Sequence, residues 1–393
     1  MLVNEFPPLQ VGGAERQAER LSANLAKRGW SVWVLTRHAP NLPANESRLG
    51  FNIIRPAAWG PGKLQTVTFV LGALFELWRL RRSYSLLHAH LAFGPAFAGV
   101  LAAHFLGKRV VVKLGNSGEF GDIRVSQKTW RGKLRLAVLR SWADAIIVLD
   151  DAMQVEALAN GFSSDKVRRI VNGINTKTFY PTIARKSAKQ ALSLDEKTVV
   201  ISIGRLSAQK SLPMLIQAFA VAHSQNQSLH LLILGEGPDR AALEMLVAST
   251  QIGDSVTFAG NQSDVRPYLA AADIFVLPSA SEGISNALLE AMSAGLACLA
   301  TPVGGNPQVL DQGSCGLLLP VGDVPAWSRA LVDVSLSASL MDGLGKAALK
   351  HVRSEYDFDV VGARMESLYA DLLNKANIGT RDSAEEPLGA GKS

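Results

Sequence analysis

Residues 277–295 read LPSASEGISNALLEAMSAG, and the parsing of that stretch decides the fold. The residues leading into it, 273–277 (DIFVL), are a short apolar run with Ile and Val, as expected of a buried parallel strand. Pro278 and Ser279 end the run. Ala287, Leu288, Ala291 and Met292 then recur at helical spacing, which predicts a helix starting near Gly283 with one face on a core and Gly295 at its end.

Two glutamates frame this unit. Glu282 falls in the loop before the helix and Glu290 about two turns inside it. Eight helical residues rise ~12 Å, wider than the roughly 5–9.5 Å carboxylate pairs that cleave glycosidic bonds and closer to the two ends of a sugar–diphosphate–ribose. Between them lies a helix N-terminus, whose free N–H groups and dipole favour a phosphate. A solvated loop glutamate and an ordinary helix glutamate would give the same spacing. The pattern is more specific than the spacing: Glu282, seven residues, then Glu290, inside EGISNALLEAMSAG, resembles the E-x7-E signature of retaining glycosyltransferases of family 4.

Composition sets the bounds. The 393 residues suffice for two domains, and 48% apolar with 19% charged residues is an ordinary globular mix. Cys298 and Cys315 are too few and too oddly spaced for a zinc site or a disulfide framework, which fits a reducing cytosol. Met1 is followed by no basic n-region and apolar h-region, so no signal peptide is expected. The most apolar window, residues 92–106, is shorter than the ~20 residues of a spanning helix and contains Pro95 and His104; a buried helix is expected there. The net charge of +6 divides into +12 over residues 1–184 and −6 over the rest. The basic half is expected to meet something anionic. Nucleic acid ranks last, because no nucleic-acid motif is present and the aromatics do not interleave with the basic run.

Taken in order, residues 1–36 read as the end of a strand, a glycine loop, a helix with Ala14, Ala18, Leu21 and Leu25 on one face, and a second strand. Gly12 and Gly13 stand at the helix start, where bare backbone lets a phosphate approach. Strand and helix patterns then alternate: a strand at 51–55, a helix at 66–82, a strand at 85–88. His88 and His90 follow at a strand's C-terminal end, where open α/β sheets bind ligands; a capping or core histidine is the plain alternative. Residues 113–122 (KLGNSGEFGD) look like a binding loop. Residues 124–142 are basic with no acidic residue, and Trp130, Leu134, Val138 and Trp142 recur at helical spacing. Both a helix on an anionic interface and a solvated helix packed on the sheet fit that pattern. Further strands are expected at 143–149 and 167–171.

After a polar stretch at 181–196 the pattern restarts with a strand at 198–203, followed by GRLSAQK. Arg205 supplies a planar fork and Lys210 a mobile point charge, a suitable pair for a diphosphate. Strands are also read at 231–237 and 256–260. GEG with Arg240 following does not complete G-x-G-x-x-G, so the dinucleotide fingerprint is absent and a dehydrogenase is disfavoured. Asp357 and Asp359 form a DxD at a helix start over 356–373, where Asp acts as a cap rather than a metal ligand. Residues 376–393 are small and polar and are expected to be disordered.

The resemblance to glycosyltransferase family 4 covers about residues 3–373. It implies a GT-B fold: α/β, two Rossmann-like doubly wound parallel-sheet domains facing across a cleft. The first would span 1–182, the second 183–355, with a crossover helix at 356–375 and the tail at 376–393. The family usually has a full first strand, of which few residues precede Glu5 here, so the strand is clipped or the start is late. Elsewhere the chain departs from the pattern at Gly115 (often His), Asp150 and Asp151 (often Ser or Thr), Asn175 (usually Asp) and Gln308 (usually Glu). The implied chemistry is sugar transfer from a nucleotide diphosphate-sugar to a hydroxyl with retention. Glu282 and His90 would contact the donor sugar and Glu290 the ribose, while Arg205 and Lys210 would neutralise the diphosphate with help from Gly12, Gly13 and the N–H groups near Gly283, Ile284 and Ser285. No metal or other cofactor is expected. The acceptor would be a glycan or lipid-linked molecule in cell-surface polysaccharide or glycolipid synthesis. The location would be cytoplasmic, with contact to an anionic inner membrane face. A GT-B sugar-nucleotide epimerase and a non-catalytic sugar-nucleotide-binding protein remain the alternatives.

Overall fold

A computed structural model describes residues 1–8, 12–60, 63–91, 94–115 and 121–382. Its first half begins with β1 (Trp33–Leu35), β2 (Asn45–Arg48) and β3 (Phe51–Ile54), in the order β1-β3-β2 with β2 antiparallel at the edge. Next come β4 (Leu86–His90), β5 (Arg109–Lys113), β6 (Ala145–Val148) and β7 (Val167–Arg169), parallel and in sequence order. Leu2 joins the two pieces. It bridges Leu35 on one side and Ala89 on the other; its N–H donates to His88 O at 2.8 Å and its carbonyl accepts from His90 N at 3.0 Å. Residues 1–3 therefore occupy the place of the expected first strand, between β1 and β4. The hairpin partner β2 is an addition to the expected order.

The second half is a six-stranded parallel sheet. It consists of β8 (Thr198–Ile203), β9 (Leu229–Leu234), β10 (Val256–Gly260), β11 (Ile274–Leu277), β12 (Ala297–Ala300) and β13 (Leu317–Leu318), ordered β10-β9-β8-β11-β12-β13. The strand order reverses between β8 and β11, and in the first half between residues 1–3 and β4. Ligands of open α/β sheets bind outside the carboxyl ends at such points. The central strands are buried on both faces, β9 and β11 without exception, and so read as continuous apolar runs.

Helices of the first half include α1 (Gly13–Lys27), α2 (Lys63–Arg79), α3 (Gly94–Phe105), α4 (Asp122–Gln127) and α5 (Trp130–Trp142). In α1, Ala18, Leu21 and Leu25 are buried as the periodicity predicts. In α3, Ala96, Val100 and Ala103 are buried as expected of the apolar window, although Phe105 stays exposed. The basic stretch is two helices, not one. Thr129 breaks it and caps α5 by accepting from Gly132 N at 3.1 Å. The buried face of α5 is Leu136 and Leu139, while Trp130 and Leu134 point to solvent.

Two further expectations shift. The helix anticipated near Gly283 is Asn286–Ser293, with Ser285 as its N-cap; the ~12 Å helical rise from Glu282 to Glu290 therefore does not apply, because residues 282–285 are loop. The last helix, Phe358–Asp382, extends past residue 376; residues 383–393 lie outside the described residues. Asp357 accepts from Thr176 Oγ1 at 2.5 Å and from Asp359 N at 2.9 Å, so the DxD organises backbone. No group of three or more His, Cys, Asp or Glu placed to hold a metal occurs among the described residues.

The last helix returns to the first half. Glu366 accepts from Arg28 Nε and Trp30 Nε1, both at 2.9 Å, and Tyr369 OH meets His88 Nδ1 at 2.6 Å. The two chain crossings between the halves are bonded to each other: Ile174 N donates to Tyr356 O at 2.8 Å and Phe358 N to Ile174 O at 2.9 Å.

Candidate active site

The carboxyl ends of both sheets open on one cleft of about 940 Å³. All ten residues singled out from the sequence line it: Gly12, Gly13 and His90 from the first half, and Arg205, Lys210, Glu282, Gly283, Ile284, Ser285 and Glu290 from the second. Residues 116–120 of the anticipated binding loop lie outside the described residues.

On the second half, Arg205 and Lys210 follow β8, and Glu282 follows β11, its neighbour in the sheet. Lys210 Nζ is ion-paired with Glu282 Oε1, which also accepts from Ser279 Oγ at 2.7 Å. Arg205 is exposed and makes no ion pair among the described residues. Glu282 is held from below by the loop after β12. Gly304 has φ +55°, and a Cβ there would lie 2.0 Å from the Glu282 carbonyl oxygen; Gly305 N also donates to Gly283 O at 2.9 Å. Only glycine permits both that conformation and that approach.

Helix Asn286–Ser293 points its capped N-terminus into the cleft, and the first half closes on it. Gln17 Nε2 donates to Asn286 Oδ1 at 2.7 Å, Asn286 Nδ2 to Gly13 O at 3.1 Å, and Asn172 Nδ2 to Ile284 O at 3.3 Å. Glu290, nearly buried, pairs with Arg20 of α1 at 2.8 Å. Arg20, Gln17, Asn172 and Asn286 escaped the sequence reading. Arg20 and Gln17 sit where an amphipathic helix shows ordinary polar residues, and nothing local marks them as reaching another sheet.

On the first half, His90 ends β4 and its register partner Lys113 ends β5. Both line the cleft and are nearly buried. The His88 and His90 rings stack at 4.4 Å. Burial pushes both well below the usual imidazole pKa, and the positive charge of Lys113 adds to this, so both are neutral at pH 7. Burial brings Lys113 down to about 8.

Two facing α/β sheets, parallel apart from β2 at one edge, whose carboxyl ends open on one cleft have the GT-B arrangement. Comparison with known proteins agrees. The profile of glycosyl transferases group 1 matches residues 197–336, and that of glycosyltransferase family 4 matches residues 11–178. The chain belongs to glycosyltransferase family 4 and is a glycosyltransferase using a nucleotide-sugar donor. It is 24% identical over 364 residues to N-acetyl-alpha-D-glucosaminyl L-malate synthase of Bacillus anthracis, covering 92% of this chain and 95% of that protein. It is 24% identical over 359 residues to alpha-D-kanosaminyltransferase of Streptomyces kanamyceticus, covering 88% and 90%. Among solved structures, HepE of Anabaena in complex with UDP-glucose superposes with a TM-score of 0.78 at 17% identity, over 94% of this chain and 99% of that one.

Proposed function

We propose that this chain transfers a sugar, with retention, from a nucleotide diphosphate-sugar to a hydroxyl acceptor, in the synthesis of a cell-surface polysaccharide or glycolipid. The observation that carries the reading is the convergence of Arg205, Lys210 and Glu282, from adjacent strand ends, on a cleft whose other wall carries His90 and Gly13. Arg205 and Lys210 neutralise the leaving diphosphate, with the N–H groups at Gly283–Ser285 and Gly13 in support. Glu282 orients the donor sugar hydroxyls, His90 approaches the same sugar as a neutral imidazole, and Glu290 takes the ribose. The departing phosphate oxygen accepts the proton of the acceptor hydroxyl on the same face. Because the charge is met by fixed side chains, chelator is expected to leave turnover in place. Domains at 1–182 and 183–355, joined by the last helix, are the units that would close on the donor.

The test is nucleotide release from UDP-, GDP- and ADP-sugars, in EDTA, for wild type and Glu282→Ala. Slow hydrolysis of one donor, lost in the variant, supports the reading. A covalent glycosyl-enzyme on Glu282 would overturn the same-face step, and sugar epimerised without acceptor would make the chain an isomerase.

The reading extends to an acceptor presented at an anionic membrane surface. No described helix is long and apolar enough to cross a membrane. Support comes from α2, which exposes Leu64, Val67, Leu71, Phe75 and Trp78, all more than half accessible, along one side. Arg81 stacks on Trp78 at 4.5 Å, with Arg79 and Arg82 beside it. Apolar side chains rimmed by Arg and Lys fit the headgroup boundary of anionic lipid. On α5, separated from α2 by α3, only Trp130 and Leu134 are exposed in this way, next to Arg131 and Lys133.

A further inference from the structure

The donor chemistry just described leaves one buried charge in the cleft unused. Lys113 is 7% exposed. Its Nζ donates to Asn172 Oδ1 at 2.9 Å and makes no ion pair among the described residues. An ammonium carries three donors, so this one is under-satisfied where burial is most costly. Asn172 cannot offset the charge, because its amide is neutral and only its Oδ1 accepts; its Nδ2 is itself a donor, bonded to Ile284 O. Next to Lys113, across the β4–β5 register, His90 Nε2 is buried with no hydrogen-bond partner among the described residues. Asp122 lines the same wall, with its Oδ2 accepting from Gly115 N at 3.0 Å. The cations suited to the donor diphosphate, Arg205 and Lys210, stand on the opposite wall.

We propose that Lys113 and His90 form an acceptor subsite for an anionic group, a carboxylate or a phosphate monoester, carried by the molecule whose hydroxyl receives the sugar. Lys113 pairs with the anion in place of bulk water, and His90, whose neutral ring also meets the donor sugar, borders the subsite where acceptor and donor adjoin. The inference rests on the glycosyltransferase reading and narrows its acceptor class. A uronic acid on the donor sugar would present the same carboxylate, so the test must separate the two sources.

Binding of malonate and of inorganic phosphate to the full chain is measured by calorimetry, with and without UDP, GDP or ADP at saturation, for wild type, Lys113→Gln and Lys113→Arg. The expected result is one anion bound per chain, retained when nucleotide is bound, weakened at least tenfold in Lys113→Gln and largely kept in Lys113→Arg. Equal affinity in wild type and Lys113→Gln overturns the proposal, as does full displacement of the anion by nucleotide. If no nucleotide binds while the Lys113-dependent anion site stands, the transferase reading fails and the anion site survives it. In turnover, the ratio of kcat/KM for glycerol 3-phosphate over glycerol is expected to exceed ten in wild type and to fall towards one in Lys113→Gln. A Lys113-dependent preference for UDP-glucuronate over UDP-glucose instead would move the anion to the donor and overturn the acceptor assignment.

Discussion

Arg20 Nη2 on α1 lies 2.8 Å from Glu290 Oε1 in helix Asn286–Ser293, so one ion pair joins a helix of the first half to a helix of the second across the cleft. Glu290 is the carboxylate proposed to receive the ribose, so in this conformation the nucleotide must share it with Arg20 or displace it. A double-mutant cycle on Arg20→Gln and Glu290→Gln is expected to give a coupling of about 1–3 kcal/mol in urea unfolding. Additive effects would mean that the pair contributes nothing to holding the halves together.

The Lys210–Glu282 pair joins two strand ends and faces the proposed diphosphate and sugar. Lys210→Ala is expected to lower donor turnover by roughly 100- to 1,000-fold, the usual loss for a transition-state charge partner. Gly304→Ala tests the support beneath Glu282, since its new Cβ would meet the Glu282 carbonyl. It is expected to reduce kcat/KM at least tenfold while the chain stays folded. Single-turnover donor hydrolysis and a melting curve check both.

The burial of Lys113 sets a pH dependence with a definite sign. Its folded pKa, about 8, lies below the ordinary 10.5. Below pH 8 the group is charged in both states, and folding carries the cost of burying the charge. Between about 8 and 10.5 the unfolded chain holds the extra proton, so stability rises with pH and the whole gain, roughly 3 kcal/mol, is present above 10.5. Lys113→Met is therefore expected to be more stable than wild type at pH 7 by roughly 2 kcal/mol. That is the released cost less about 1 kcal/mol for Asn172 Oδ1 left unpaired. Urea unfolding at pH 7, 9 and 10.5 should show the gap closing; a gap constant with pH would mean that the charge is not the source.

The exposed side of α2 gives a prediction away from the cleft. Leu71→Gln combined with Phe75→Gln is expected to reduce co-sedimentation with phosphatidylglycerol vesicles at least tenfold and to leave acceptor-free donor hydrolysis unchanged. In wild type the binding should weaken as salt is raised from about 0.1 to about 0.5 M. Equal binding by wild type and variant would remove α2 from the membrane reading.

What the sequence reveals here is what physics makes local. GRLSAQK and EGISNALLE announce themselves because cations, a carboxylate and a helix start must follow a strand within a few residues to meet one ligand. The strands at 198–203 and 256–260 carry β-branched residues and match the structure end to end. β12 is Ala-Cys-Leu-Ala and carries no β-branched signal; its strand state comes from the sheet around it. The helix expected at 66–82 carries apolar residues on more than one side, and only the packing of neighbouring elements shows that Leu71 and Phe75 are left outside. Lys113 stood in a stretch recognised as a loop, but a lysine at a strand end is unremarkable until its burial and single neutral partner are seen. Arg20 finds Glu290 270 positions away, and Gln17 finds Gly173 156 and Asn286 269 positions away, distances no local pattern encodes.

The mutual hydrogen bonding of the two crossings at Ile174 and Asp357 has a mechanical meaning. Two independent tethers would let the halves slide or separate as well as turn. Tethers fastened to each other at one point act as a single pivot, so relative motion reduces to swivelling about Ile174. The contact of Asn172 with Ile284, two residues from that pivot, is then the part of the cleft that moves least.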